Sequence, residues 1–359
     1  MKIGIITFHF PLNYGAVLQA YALAKYLRSI GHHSEFIDYQ PNYHVKRYQW
    51  KWKYCGLHPT NFIYPLLYKR FNLFRSTHLK LTSRLYRSLD ELVADPPKAD
   101  AYICGSDQIW NPQITDFDIA YFLAFGIEAV KRIAYAGSFG KTELTQEQQK
   151  YLKPYFQGIK HISVREQSGA EVINTICGRQ VECVLDPTLL IDGYESITEP
   201  CQIKDPYVLL INLQNNSLLN HAADFVSREL QLPKIVLNNY SLKLWEQKGK
   251  RLYPGPGGYL GIIKQAGYVV TNSFHGTIFS ILFQKPFLTT ALSGHGVQKN
   301  TRITGLLNSL GLLDHFLDTF SESKIRRLIK TDIDWKLVST RLNEQREKSI
   351  SFLKIALNN

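Results

Sequence analysis

Short apolar runs alternate with longer amphipathic stretches along this chain, and small or polar residues gather where a run stops. Residues 2–8 form a near-continuous apolar run, the pattern of a parallel strand covered on both faces. Helical periodicity follows over residues 16–29, with Gly31 placed to cap it. Further strands are predicted at 35–38, 101–104, 132–136, 161–164 and 181–185, and helices around 61–76 and over 145–158. After a polar, proline-containing stretch at 192–204, the alternation resumes. Strands are expected at 207–211, 235–237, 268–271 and 286–290, and helices at 220–230, from Thr277 to Phe283, and over the charged tail 334–357. Strand–helix alternation of this kind predicts an α/β fold with parallel sheets. The expected organisation is two Rossmann-like domains facing across a cleft, residues 1–193 and 205–333. A C-terminal helix, 334–359, is positioned to cross back to the first domain.

The residues at the strand ends matter most, because open α/β sheets bind ligands outside the carboxyl ends of their strands. Gly267-Tyr-Val-Val-Thr-Asn-Ser-Phe-His-Gly276 reads as a strand that stops abruptly and feeds a buried helix. Its turn carries Ser273, Phe274, His275 and Gly276, where helix amides favour an anion and an imidazole can transfer a proton. The same turn is equally compatible with Ser273 acting only as a cap. Asn13-Tyr14-Gly15 opens the first helix. Ser106, Asp107, Gln108 and Trp110 follow the strand ending at Cys104. Arg165 directly follows the strand ending at Val164, where a guanidinium could clamp a carboxylate or phosphate, or pair with Glu166 or Asp186. Arg302 offers another positive charge.

Composition narrows the classes. With 359 residues, two domains are the default, and the 45% hydrophobic content suits globular cores. No apolar run reaches the length of a membrane span, and the N-terminal run is too short for a signal peptide. Five cysteines without a Cys-x-x-Cys pair point to reduced thiols in a cytoplasmic protein and no structural zinc. The net charge of +12 is uneven. Residues 39–89 contain no acid but hold Lys46, Arg47, Lys51, Lys53, Lys69, Arg70, Arg75, Lys80, Arg84 and Arg87, interleaved with Tyr43, Trp50, Trp52, Tyr68 and other aromatics. That mixture fits an anionic membrane surface better than a nucleic acid. A solvated basic loop is the plainer alternative. No Walker loop, His-Glu-x-x-His or Asp-x-Asp motif is present, so no metal is expected.

Several blocks in order resemble the polysaccharide pyruvyl transferase family. They are the opening Lys2-Ile-Gly-Ile-Ile-Thr7 with the run from Asn13 to Leu23, the run from Cys104 to Asn111, Ile162-Ser-Val-Arg-Glu166, Val184-Leu-Asp-Pro-Thr188, the run from Ala266 to Gly276, and Asn300-Thr-Arg-Ile303. The resemblance covers most of the chain but not the basic segment. It implies a GT-B-type pair of Rossmann-like domains. It also implies transfer of a pyruvyl (carboxyethylidene) group from phosphoenolpyruvate to two hydroxyls of a sugar, with no cofactor. Carried over by position, Arg165, Ser273, Phe274, His275 and Gly276 would hold the donor, with His275, Asp107 and Arg165 in catalysis. Asn13, Tyr14, Gly15, Ser106, Asp107, Gln108 and Trp110 would hold the acceptor. Family members often carry Arg where this chain has Ser273, so Arg302 or Lys264 is expected to supply the missing charge. The expected acceptor is a sugar on polyprenyl diphosphate at the inner face of the membrane. A nucleotide-sugar glycosyltransferase of the same architecture, or a non-catalytic assembly protein, are the alternative readings.

Overall fold

The computed structural model describes residues 1–44, 60–140, 143–238 and 250–358. Part of the basic aromatic segment, residues 45–59 with Lys46, Arg47, Trp50, Lys51, Trp52 and Lys53, lies outside the described residues. The chain divides into two compact units. The first comprises Met1–Pro65, Asn72–Ile191 and Glu344–Asn359, and the second comprises Leu66–Phe71 and Asp192–Asn343.

The first unit holds a seven-stranded, all-parallel sheet. In chain order its elements are β1 (Lys2–Ile6), α1 (Tyr14–Ser29), β2 (His33–Tyr39), α2 (Thr60–His78), β3 (Leu81–Tyr86), α3 (Leu89–Ala94), β4 (Ala101–Cys104), β5 (Lys131–Gly137), α4 (Gln146–Gln157), β6 (His161–Val164), α5 (Gln167–Cys177) and β7 (Glu182–Cys183). The strand order is β3-β2-β1-β4-β5-β6-β7. The chain therefore winds outward from β1 in one direction and then from β4 in the other. The switch point lies between β1 and β4, whose residues Ile3 to Ile6 pair with Ala101 to Cys104. Apolar residues on every side of α1 explain its burial from Tyr14 to Ala24. Gly31 ends it at a φ of 84°, a conformation that only glycine adopts without strain. Four aromatics in ring contact, Trp110, Phe122, Phe139 and Phe156, lie in the core of this unit.

The second unit repeats the plan with β8 (Val208–Asn212), α6 (Ser217–Leu230), β9 (Lys234–Asn238), β10 (Lys250–Leu252), α7 (Pro256–Gln265), β11 (Tyr268–Thr271), α8 (Phe274–Leu282), β12 (Phe287–Thr290), α9 (Asn300–Leu310), β13 (Phe316–Leu317) and α10 (Glu322–Lys330). The order β10-β9-β8-β11-β12-β13, again all parallel, puts its switch point between β8 and β11. Residues 197–199, in the stretch expected to be a linker, lie against a glycine face of α7. A Cβ on Gly261 would fall 1.8 Å from the Glu199 carbonyl oxygen, so no side chain fits there. A last helix, α11 (Trp335–Asn358), belongs to the first unit from Glu344 onward. There Ser349 Oγ accepts from Leu185 N at 2.9 Å, Arg346 Nε donates to Leu189 O at 2.8 Å, and Lys131 Nζ donates to Leu357 O at 2.8 Å. No helix among the described residues is long and apolar enough to cross a membrane.

Candidate active site

The residues singled out from the sequence fall into two groups, one at each switch point. In the first unit, β4 ends into Ser106 and Asp107. Asp107 takes a φ of 75°, unusual for a residue with a side chain, and its backbone bridges to Gly137 at the end of β5. Such strain persists only where the surroundings over-determine it, and it concentrates at functional positions. Here Ser138 N donates to Asp107 O at 3.1 Å, and the carboxylate accepts from Gln108 N at 2.8 Å.

Arg165, buried after β6, sits at the centre of this group. Its Nη1 donates to Asp186 Oδ2 at 2.7 Å, while Asp107 Oδ1 and Glu166 Oε2 lie 3.6 Å and 3.8 Å from other guanidinium nitrogens. Burial works against the positive charge, and the carboxylates of Asp186, Asp107 and Glu166 outweigh it, so the pKa lies above the ordinary arginine value. Asp186 is saturated: Ser106 Oγ donates to it at 3.1 Å, Thr188 N at 3.0 Å and Thr188 Oγ1 at 2.7 Å. Glu166 accepts from Ser138 Oγ at 2.7 Å. Arg165 thus has its charge met inside the protein. It is the counter-ion of a carboxylate cluster whose most exposed member, at 12%, is Asp107.

The second group is built differently. Ser273 caps α8, its Oγ accepting from Gly276 N at 3.2 Å, so the helix begins at Phe274 rather than at Thr277. Gly276 is required by close approach, since a Cβ would lie 2.6 Å from Thr271 Oγ1. His275 thus stands in the first turn of a helix, its ring 5.3 Å from that of Phe274. Arg302, in the first turn of α9, lies 5.4 Å from the centre of the Phe274 ring, in cation–π range. Of the two cations weighed against Ser273, Arg302 is the one that stands beside this turn. Lys264 is exposed in the last turn of α7, just ahead of β11, and so at the opposite end of the strands.

Sequence reading overlooked the side-chain amides that hold this group together. Asn272 Oδ1 accepts from Leu213 N at 2.8 Å and its Nδ2 donates to Gln214 O at 2.6 Å, which ties the loop after β11 to the loop after β8. Gln214 pairs with both backbone groups of Ser293, at 2.8 Å and 3.0 Å. Asn300 does the same with Leu292, at 2.9 Å and 3.2 Å. The polar run from Asn212 to Asn216 directly after a buried strand was the available signal. No Asp or Glu occurs in residues 212–216, 271–277 or 290–302, while His275, Lys299 and Arg302 do.

Trp110 corrects an expectation. Its indole is fully buried, its Nε1 donates to Tyr121 O at 3.1 Å, and Phe122, Phe139 and Phe156 surround it, so the ring is closed to a sugar. Gln108 is half-buried and its Oε1 accepts from Asn111 Nδ2 at 2.9 Å. Asn13 is exposed and caps α1 through Ala16 N at 3.2 Å, while Tyr14 and Gly15 are buried behind it. Among the described residues, no group of three or more His, Cys, Asp or Glu is placed to hold a metal ion.

The fold has relatives of known structure. A UDP-N-acetylglucosamine 2-epimerase from Rickettsia bellii matches with a TM-score of 0.57 at 12% identity, covering 100% of this chain and 96% of that one. The S. aureus MnaA–UDP co-structure matches at 0.54 and 12%, covering 99% and 97%. Arabidopsis thaliana UGT89C1, complexed with UDP-L-rhamnose, matches at 0.50 and 13%, covering 98% and 94%. At such identities the likeness is one of fold, the two-Rossmann GT-B type. No curated protein matches the sequence. The family model for polysaccharide pyruvyl transferases matches residues 13–294, a span that contains Asp107, Arg165 and the turn bearing His275, and on that match the chain belongs to the polysaccharide pyruvyl transferase family.

Proposed function

We propose that this protein transfers a pyruvyl group from phosphoenolpyruvate to two hydroxyls of a sugar, forming a cyclic ketal. The contrast in charge between the two switch points carries the reading. Phosphoenolpyruvate is a carboxylate and a phosphate on three carbons, and it suits loops that hold His275 and Arg302 and whose sequence contains no acid. A sugar hydroxyl is neutral and needs a base, and Asp107 is the most exposed carboxylate of the first unit's cluster.

The reaction balances without a redox partner. His275 delivers a proton to the methylene of phosphoenolpyruvate, and the electrophilic carbon adds the first hydroxyl oxygen, whose proton passes to Asp107. Phosphate leaves with its charge met by Arg302. The second hydroxyl then closes the ketal and its proton restores His275, while the proton taken by Asp107 leaves with the phosphate as hydrogen phosphate. Arg165 acts here by orienting Asp107. The first test is phosphate release from phosphoenolpyruvate by purified protein with a panel of sugar acceptors, with mass spectrometry of the products. Acceptor-dependent release with a ketal product is the expected result. Consumption of nucleotide sugars instead would overturn the reading.

A polyprenyl-diphosphate-linked acceptor at an anionic membrane fits the acid-free stretch 39–89. It also fits α2, which exposes Leu66, Tyr68 and Leu73 alongside Lys69. Co-sedimentation with vesicles should rise with anionic lipid and fall with salt. Binding indifferent to both would remove the membrane from the proposal.

A further inference from the structure

The loop that follows β1 is tied down more heavily than a connection needs. Thr7 Oγ1 donates to Ser106 O at 3.0 Å and accepts from Gln19 Nε2 at 3.0 Å. Arg75 of α2 donates to Phe10 O. The strongest tie is His9, whose side chain is 1% exposed. Its Nδ1 lies 3.2 Å from Thr7 O and its Nε2 lies 3.1 Å from Asp38 Oδ1, at the end of β2. A carbonyl oxygen can only accept. The same Asp38 oxygen already accepts from Gln40 Nε2 at 2.7 Å. Both ring nitrogens therefore face acceptors, and only a doubly protonated imidazole satisfies both.

The charged neighbours of the ring and its loop are one carboxylate and two guanidinium groups. Asp38 faces the ring from β2. Arg87, after β3, also acts on Asp38 through its charge. Arg75 reaches the same loop, and the ring of His44 packs on Phe10 and Phe8. Burial pushes the Asp38 carboxyl up, and the hydrogen bonds from His9 and Gln40 outweigh it, so Asp38 titrates below the ordinary aspartate value. From Asp38 the contacts run on through His9, Thr7, Ser106 and Asp186 to Arg165 and Asp107, crossing the switch point.

We infer that His9 and Asp38 are a positioning pair: a buried imidazolium–carboxylate bridge that holds the loop after β1 in register with Ser106 and Asp107. The kinetic consequence rests on the proposed assignment of the acceptor to the first unit; the bridge itself does not. Long-range 15N–1H spectra of the imidazoles, with His9 assigned by His9→Gln, should show both nitrogens protonated at neutral pH. Asp38→Asn should drive that ring to the neutral form. A neutral His9 in the wild-type protein overturns the inference.

In kinetics, His9→Ala and Asp38→Asn should raise the acceptor KM by on the order of tenfold while leaving the phosphoenolpyruvate KM within about twofold, since displacement of a positioning group acts on one partner of the reaction. His9→Gln, which restores a donor toward Asp38, should recover part of the loss. Equal rises in both KM values would overturn the positioning role. If the wild-type protein forms no ketal with any acceptor, the functional reading fails. The spectra, together with faster amide exchange confined to residues 7–17 in Asp38→Asn, still decide on the bridge.

Discussion

The two switch points share one topology and differ in almost everything else. In the first unit a guanidinium is buried among three carboxylates, and charge meets charge inside the protein. In the second, neutral amides lace the loops, and His275 and Arg302 stand in segments whose sequence holds no acid. Buried ion pairs fix geometry at a high desolvation cost, whereas amide bridges fix it and leave the local field to other groups. The difference teaches that a strand-end arginine identifies neither a donor site nor an anion site until its counter-ions are known.

The sharpest way to break this comparison is His275→Ala. Turnover should fall by roughly a hundredfold to ten-thousandfold, the usual worth of general acid–base catalysis, with little change in melting temperature. A near-normal rate would remove His275 from the chemistry. Arg165→Leu should act on stability instead. It strands three carboxylates around an apolar side chain, and removing one partner of a buried pair costs about 3–5 kcal/mol. Chemical denaturation should show that loss, with the phosphoenolpyruvate KM little altered in whatever remains folded. A selective rise in that KM would return Arg165 to the donor site.

Arg302→Ala should raise the phosphoenolpyruvate KM by about tenfold or more, as expected for losing a charge-assisted hydrogen bond, while sparing the acceptor KM. Arg302→Lys should recover only part, because a lysine keeps the charge but loses the flat face over Phe274.

The smallest effect is a pH dependence carried by His315. Burial lowers the pKa of His315 below the ordinary 6.5, and its Nδ1 lies 2.9 Å from Phe287 O. A depressed folded value means stability that is present above 6.5 and is lost as pH falls through the folded value. Asp38 is likewise depressed, but from 3.8, so its contribution survives until pH drops below that range. On mild acidification His315 should therefore cost the second unit stability, as the lowered His32, His78 and His161 should cost the first. His315→Gln should flatten that limb in thermal melts taken across the range. An unchanged slope in that variant would assign the acid sensitivity elsewhere.

Much of the fold was legible because burial leaves a plain mark. The strands at Ala101–Cys104, His161–Val164 and Tyr268–Thr271 are short apolar runs stopped by glycine, arginine or asparagine, and the structure has them at those residues. β3 escaped notice because it is an edge strand with Ser83, Arg84 and Leu85 exposed, and half-polar edges carry no apolar run. α7 escaped because Gly257, Gly258 and Gly261 disguise a helix in which Gly257 and Gly261 leave room for the carbonyls of Ile197 and Glu199. In the site, the strand–cap–helix form of the His275 turn could be read locally. The partners of Arg165 could not be ranked, since Asp186 lies 21 residues and Asp107 lies a whole β-α-β connection away. Trp110 misled for a simpler reason: a core indole and a sugar-stacking indole have the same letter.

The amide lacing of the second unit has a chemical consequence. Asn272 is fully buried and precedes Ser273, and Asn216 precedes Ser217. Folded, these side chains are held; unfolded, an asparagine followed by a small residue is open to deamidation, one reason such residues are scarce in heat-adapted proteins. Hydrolysis would turn the donor facing Gln214 O into a carboxylate oxygen, placing like against like and setting an anion close in sequence to His275. Each heating cycle is then expected to leave a fraction of molecules that refold poorly, so the working life of this protein is set by the chemistry of one amide as much as by the free energy of its fold.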